Sequence, residues 1–219
     1  GGLAWAEQLH GRELSFNNLL DADGAWRAVT DFDETAVVIV KHTNPCGLAV
    51  HQDQVEAYKR ALSGDPVSAF GGIVGFNSIV TGDAAREMSS VFYEVVVAPG
   101  YEPEALEELQ KKRNLRVLAI PPFRERSVDY DLRPLSGGLL VQTRDNLREN
   151  PLSWKTVTKR APAVDELADL AFAWKVAKHI KCFGDKPLGN PWHFLIGNAK
   201  IPVLVRSLYY SQVGVYPWP

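Results

Sequence analysis

Ala36-Val-Val-Ile-Val40 runs straight into Lys41-His-Thr-Asn-Pro-Cys-Gly47. Five apolar residues, three of them valine and one isoleucine, spell a strand buried on both faces, as in a sheet covered by helices. At its end the chain delivers a cation and a titratable imidazole side by side. Neighbours on a strand point to opposite faces, so Lys41 and His42 can meet one ligand only if the backbone turns there. Pro45 fixes its own φ and steers Asn44 away from helical geometry, while Gly47 admits conformations closed to other residues. The expectation is a loop held by Pro45 and Gly47. Beside it stands a plainer reading, a strand end that simply meets water.

Working outward, helical and extended patterns alternate. Asp21 to Phe32 reads as a helix with Trp26 and Val29 on one face and Asp21 or Asp23 as caps. A polar amphipathic stretch runs from Gln52 to Ser63 and stops at Gly64. Gly72 to Phe76 reads as a second buried strand, Thr81 caps a short helix through Ser90, and Tyr93 to Ala98 is a third strand. Pro103 opens a helix from Glu104 to Arg113, Asn114 closes it, and Leu115 to Ile120 is a fourth strand. Pro121 starts a long irregular stretch, and 137–142 is a later strand. From Val164 to Lys181, apolar residues at Leu167, Leu170, Ala171, Trp174, Ala177 and Ile180 recur at helical spacing. Strands separated by single helices favour a parallel or mixed sheet covered on both faces. A subdomain boundary is expected near 121–150.

Composition sets bounds. The 219 residues carry a formal net charge of −2 with no basic cluster, which argues against nucleic acid or an anionic membrane as partner. No apolar run approaches the roughly 20 residues that span a bilayer. The N-terminus has neither an initiating Met nor a signal pattern, so the chain is expected to be a piece of something longer. Cys46 and Cys182 lie far apart and form no framework, which fits a reducing cytoplasm.

Several segments together resemble the AICAR transformylase family, the formyltransferase domain normally fused behind an IMP cyclohydrolase domain in purine biosynthesis. Gln8-Leu-His-Gly-Arg-Glu-Leu-Ser-Phe-Asn-Asn18 is similar to the family's opening motif, and Lys41-His-Thr-Asn-Pro-Cys-Gly47 to its active-site motif. Asp65-Pro-Val-Ser-Ala-Phe-Gly-Gly72, Glu94-Val-Val-Val-Ala-Pro-Gly-Tyr101 and Ser136-Gly-Gly-Leu-Leu-Val-Gln142 follow in the family's order. Thr158-Lys-Arg-Ala-Pro162 and Phe172-Ala-Trp-Lys-Val-Ala-Lys-His179 complete the resemblance, which covers about residues 6 to 181.

The resemblance implies a cytidine-deaminase-like α/β fold, a layered α/β/α arrangement around a mixed sheet. This chain would hold the first copy of a duplicated fold and the start of the second. The domains would be 1–135 with the Lys-His motif, 136–181 opening the second copy, and a divergent tail at 182–219. It also implies a reaction, transfer of a formyl group from 10-formyltetrahydrofolate to the 5-amino group of AICAR, in a cytoplasmic homodimer without need of a metal. His42 would be the general base and Lys41 the group that stabilises the tetrahedral state. Asn18, Phe70, Gly71, Gly72 and Glu94 would bind the nucleotide. Each has a plainer role too: Asn18 as a helix cap, Phe70-Gly71-Gly72 as a tight turn, Glu94 as a solvated strand-end charge. Asn44, Pro45 and Cys46 shape the loop, and Cys46 reads as a small buried apolar residue.

At Lys181 the resemblance stops. The family's Lys-Ser-Asn is replaced by Lys181-Cys182-Phe183, so the asparagine of the catalytic set is absent there. A shifted reading frame near these codons would produce such a tail. The expectation is an isolated chain without turnover. Two other functions compete. A zinc deaminase needs His-x-Glu and Pro-Cys-x-x-Cys, and neither His42-Thr43-Asn44 nor Pro45-Cys46 continues that way. A non-catalytic remnant would bind nucleotide or dimerise without chemistry.

Overall fold

The apolar run does form the strand its residues predict, and the computed structural model builds outward from it. The structure describes residues 2–121, 130–145, 148 and 150–180, with strand segments at 193–196, 199–202 and 213–217. In chain order the elements are β1 (Glu7–His10), α1 (Phe16–Val29), β2 (Ala36–Lys41), β3 (Asn44–Val50), α2 (Gln54–Gly64) and α3 (Pro66–Ala69). Then come β4 (Gly72–Phe76), α4 (Gly82–Met88), β5 (Tyr93–Ala98), α5 (Pro103–Gln110) and β6 (Arg116–Ala119). The remainder is β7 (Tyr130–Leu135), β8 (Gly138–Thr143), α6 (Val164–Ala177), β9 (His193–Ile196), β10 (Ala199–Pro202) and β11 (Val213–Pro217).

Six strands make a mixed sheet in the order β1-β6-β5-β4-β2-β3. β4, β5 and β6 are parallel, and the pairs β1–β6, β4–β2 and β2–β3 are antiparallel. Alternation along the central strands sorts the core onto the two faces. Val37, Ile39, Val74, Phe76 and Val96 pack with Ala57, Tyr58, Ala84, Ala85 and Leu109 of α2, α4 and α5. Val38, Val40, Ile73, Val95 and Val97 pack with Ala22, Ala25 and Val29 of α1, and with Val176 of α6. The result is the expected layered α/β/α arrangement around a mixed sheet. Gly75 lets α1 lie close, since a Cβ there would stand 3.1 Å from that of Ala25. β7 and β8 join β11 in a second, antiparallel sheet, and β9 pairs with β10.

Several expectations need correction. The first helix starts at Phe16, five residues before the predicted start. Ser15 is its cap, and Asn18 returns the bond in a capping box, so Asp21 and Asp23 lie inside the helix. Residues 41–47 are not a loop. Asn44 to Val50 forms β3, and the connection to β2 is the two residues His42 and Thr43. Pro45 and Gly47 therefore sit within a strand, at the sheet edge where a missing N–H is tolerated. The helix α5 begins at Pro103 itself and ends at Gln110, before Asn114. Within the stretch from Pro121, residues 122–129 lie outside the described residues, while 130–135 is the strand β7. Of the tail, the described parts are the backbone strands β9, β10 and β11.

Candidate active site

Topology gathers the seven predicted residues at one end of the six-stranded sheet. β2 ends at Lys41 beside the start of its antiparallel neighbour β4, and β4 begins beside β5 with Gly72 opposite Tyr93. Phe70, Gly71, Gly72 and Glu94 thus stand next to the Lys41-His42 turn, and the first turn of α1 adds Asn18.

The turn itself has an unusual backbone. His42 and Thr43 both adopt positive φ, 54° and 61°, as in the mirror-image turns that match the twist of a two-residue hairpin. Glycine or asparagine ordinarily fills such positions, and a β-branched threonine rarely does. The side chain of Asn44 donates to the His42 carbonyl at 3.2 Å, and the Thr43 N–H donates to an Asp21 carboxylate oxygen at 2.6 Å. Lys41 and His42 are therefore turned out at the strand end, as their spacing required, though by residues 42 and 43 and not by Pro45 and Gly47. Gly47 serves another purpose: a Cβ there would lie 1.9 Å from the Ala61 carbonyl oxygen, so only glycine lets α2 sit on β3.

The Lys41 ammonium donates to the Phe70 carbonyl at 2.7 Å. Gly71 has φ of 71° and its N–H bonds the Phe92 carbonyl at 2.8 Å, which ties the α3–β4 corner to the strand β5. At Gly72 a Cβ would stand 2.9 Å from the carbonyl oxygens of Ala69 and Val40, so the backbones converge there. The exposed rings of Phe70 and Phe92 face each other with centroids 5.3 Å apart.

Asn18 is the helix-capping residue of its plainer reading, and it also makes a contact across to β5. Its amide oxygen accepts from Ser15 in the capping box, while its amide nitrogen donates to Glu94 Oε2 at 2.8 Å. Glu94 is no free strand-end charge, for Arg116 Nη1 lies 3.5 Å from the same oxygen. Arg116 is in turn steadied by donating to the Glu13 carbonyl at 2.9 Å. The site falls into two bonded groups, Lys41 with Phe70 and Asn18 with Glu94 and Arg116. α1 reaches Glu94 through Asn18 and the Thr43 N–H of the turn through Asp21, two residues one turn apart.

Cys46 is buried. Burial pushes its thiol up to about 12, aided by the nearby Asp65 and Asp21 charges against an opposing Lys41. It is a packed thiol with negligible thiolate, as its sequence context predicted. Among the described residues no group of three His, Cys, Asp or Glu side chains is placed to hold a metal ion. Sequence reasoning missed Asp21 and Arg116 as members of this end of the sheet. Both reach it through contacts between distant segments, which no local pattern announces.

Comparison with known proteins gives this geometry its kinship. The model of a family described as AICARFT/IMPCHase bienzyme matches residues 1–183. That match ends close to Lys181, where the motifs break off. The bifunctional purine biosynthesis protein purH of Dictyostelium discoideum is 48% identical over 191 residues, 83% of this chain and 35% of that protein. The PurH proteins of Thermoanaerobacter sp. and Synechocystis sp. are 49% and 50% identical, each over 82% of this chain and 35% of their own length. The chain thus spans about a third of the length of these relatives. With most of its length matched by one family model and near half its residues shared with these relatives, the chain belongs to the AICARFT/IMPCHase bienzyme family.

Proposed function

We propose that this chain carries the Lys41-His42 half of a formyl-transfer site, passing formyl from 10-formyltetrahydrofolate to the 5-amino group of AICAR in purine biosynthesis. The observation that carries the reading is the hairpin turn, which presents both side chains at one end of the sheet beside Phe70, Gly71 and Gly72. The acceptor amine is a weak nucleophile because its lone pair is delocalised into the ring and carboxamide. As it attacks the formyl carbon, an N–C bond forms and the amine must lose a proton. His42 takes that proton, a contribution worth about 10²–10⁴ in rate. The carbonyl oxygen gains negative charge, which the Lys41 ammonium stabilises. An ammonium has three donors, so Lys41 can keep its bond to the Phe70 carbonyl and still offer two. The tetrahedral state then collapses, breaking the bond to N10 of the folate, which leaves with a proton. Asn18 and Glu94 would bind polar groups of the nucleotide, and the glycine backbone at 71–72 would lie against its plane. No step in this scheme calls for a metal.

The wider reading belongs to the same proposal. The intact protein is a cytoplasmic homodimer whose sites need both copies of the duplicated fold. Residues 1–135 form the first copy, 136–181 open the second, and 182–219 diverge. The chain by itself is then a half-site without turnover. Calorimetric titration with AICAR should show weaker binding after His42→Ala or Lys41→Ala than in the unaltered chain. Identical isotherms would count against a formed nucleotide site. A formyl-transfer assay on the chain should give no product above background, and normal rates would overturn the half-site reading.

A further inference from the structure

We infer that Asp21 is a positioning residue that sets the conformation of the Lys41-His42 turn, an inference that rests on reading this turn as the formyl-transfer half-site. Two non-glycine residues in succession occupy the left-handed region, and one of them, Thr43, is β-branched. Such backbone persists only where its surroundings over-determine it. The Asp21 carboxylate supplies that constraint by accepting the Thr43 N–H at 2.6 Å, a charge-assisted bond of the strong class.

The ordinary explanations for an aspartate at this position do not hold. Asp21 does not cap α1, whose first turn is closed by Ser15 and Asn18. Among the described residues it enters no salt bridge, unlike Asp23, which pairs with Arg27. It stands three residues beyond Asn18, a spacing that places both on adjoining parts of one helix surface. The same helix therefore orients Glu94 through Asn18 and the catalytic turn through Asp21. On the entering side of the turn, the Lys41 ammonium bonds the Phe70 carbonyl. Asp21 acts on His42 through the backbone and need not touch substrate.

Amide hydrogen exchange and the His42 ring resonances of the chain test this without requiring turnover. Asp21→Ala is expected to speed exchange at the Thr43 amide at least tenfold and to move the His42 ring signals. Asp21→Asn keeps an acceptor oxygen at the same place and should retain most of the protection. A Thr43 amide as protected in Asp21→Ala as in the unaltered chain would overturn the proposal, as would equal losses in the Asn and Ala variants. Thr43→Gly provides a second check, because glycine takes positive φ unaided. In that background Asp21→Ala should shift the His42 ring signals far less, and an undiminished shift would overturn the proposal. AICAR titration separates the two readings. Should His42→Ala leave affinity unchanged while the exchange results hold, the formyl-transfer reading fails and the control of the turn by Asp21 stands.

Discussion

Two hairpins whose turn residues the structure describes, β2–β3 and β7–β8, use two-residue connections and solve the reversal in opposite ways. Between β7 and β8 the link is Ser136-Gly137, and Gly137 takes φ of 75° with nothing within 4 Å of where a Cβ would be. Between β2 and β3 the link is His42-Thr43, and both residues enter the left-handed region at a cost of about 1–3 kcal/mol each. The surroundings differ as much as the turns. β2 is buried along its length, whereas β7 exposes nearly all of its residues, Leu132 and Tyr130 among them. Where the chain needs only to reverse, glycine serves. Where it stores strain, it displays a lysine and a histidine, anchored from a helix by a carboxylate. An enclosed scaffold can hold a strained turn, and a surface hairpin cannot.

Burial should produce the largest contrast between them. Ile39→Ala is expected to destabilise the protein by about 2–5 kcal/mol, since it removes a fully buried side chain between two packed layers. Leu132→Ala on the second hairpin should change stability by no more than about 0.5 kcal/mol. Urea unfolding of both variants measures this. Comparable losses would mean that the second hairpin is as deeply supported as the first.

The same contrast governs how much of the molecule could be read from its sequence. The strands at 36–40, 72–76 and 93–98 are legible because both of their faces are apolar. β1, Glu7-Gln8-Leu9-His10, is an exposed edge strand without that signal. β7 carries Pro134 and an almost wholly exposed face, so it reads as irregular. β3 was hidden by Pro45 and Gly47, two residues that ordinarily argue against a strand. The proline is tolerated at an edge and the glycine is demanded by α2, and both facts are tertiary. The start of α1 was misplaced because Phe16, Leu19 and Leu20 are exposed, which blurs the helical stripe. In the site, Lys41 and His42 announce themselves by chemistry. Asp21 and Arg116 do not, since each gains its meaning from a partner 22 residues away.

Charge as well as burial links the later elements to the first sheet, since α6 also packs Val176 into its core, and the charged contacts give the next effect in size. Arg27 of α1 meets Asp131 of β7 at 3.3 Å, and Asp31 takes Lys178 and His179 at 2.8 and 2.5 Å. Burial pushes the Asp31 carboxyl up, but the bonds from His179 and Lys178 outweigh it and hold the group below its usual value. A depressed folded value means that the stability it confers is complete above the unfolded value of about 4. That stability drains away as pH falls through the lower folded value. Amide exchange should show α6 losing protection below about pH 4 while β4 and β5 keep theirs. Asp31→Asn should weaken α6 at neutral pH by about 1.5–3 kcal/mol. Unaltered protection of α6 in that variant would remove the ion pairs from the account.

Exchanging the residues of the two turns gives the smallest effects and the sharpest comparison. Gly137→Thr places a β-branched side chain at φ of 75° with no carboxylate to fix it, and should cost about 1–2 kcal/mol. Thr43→Gly relieves strain at φ of 61° but enlarges the freedom of the unfolded chain, two opposing terms of about 1 kcal/mol. The net change should lie near zero, within about 1 kcal/mol of the parent. The asymmetry between these substitutions measures how much of the strain in the first turn its surroundings already offset. If Thr43→Gly stabilised the protein by as much as Gly137→Thr destabilised it, the bond from Asp21 would be contributing nothing to the folded turn. A near-neutral Thr43→Gly together with a costly Gly137→Thr would show that the helix, and not the turn sequence, sets the backbone that carries His42.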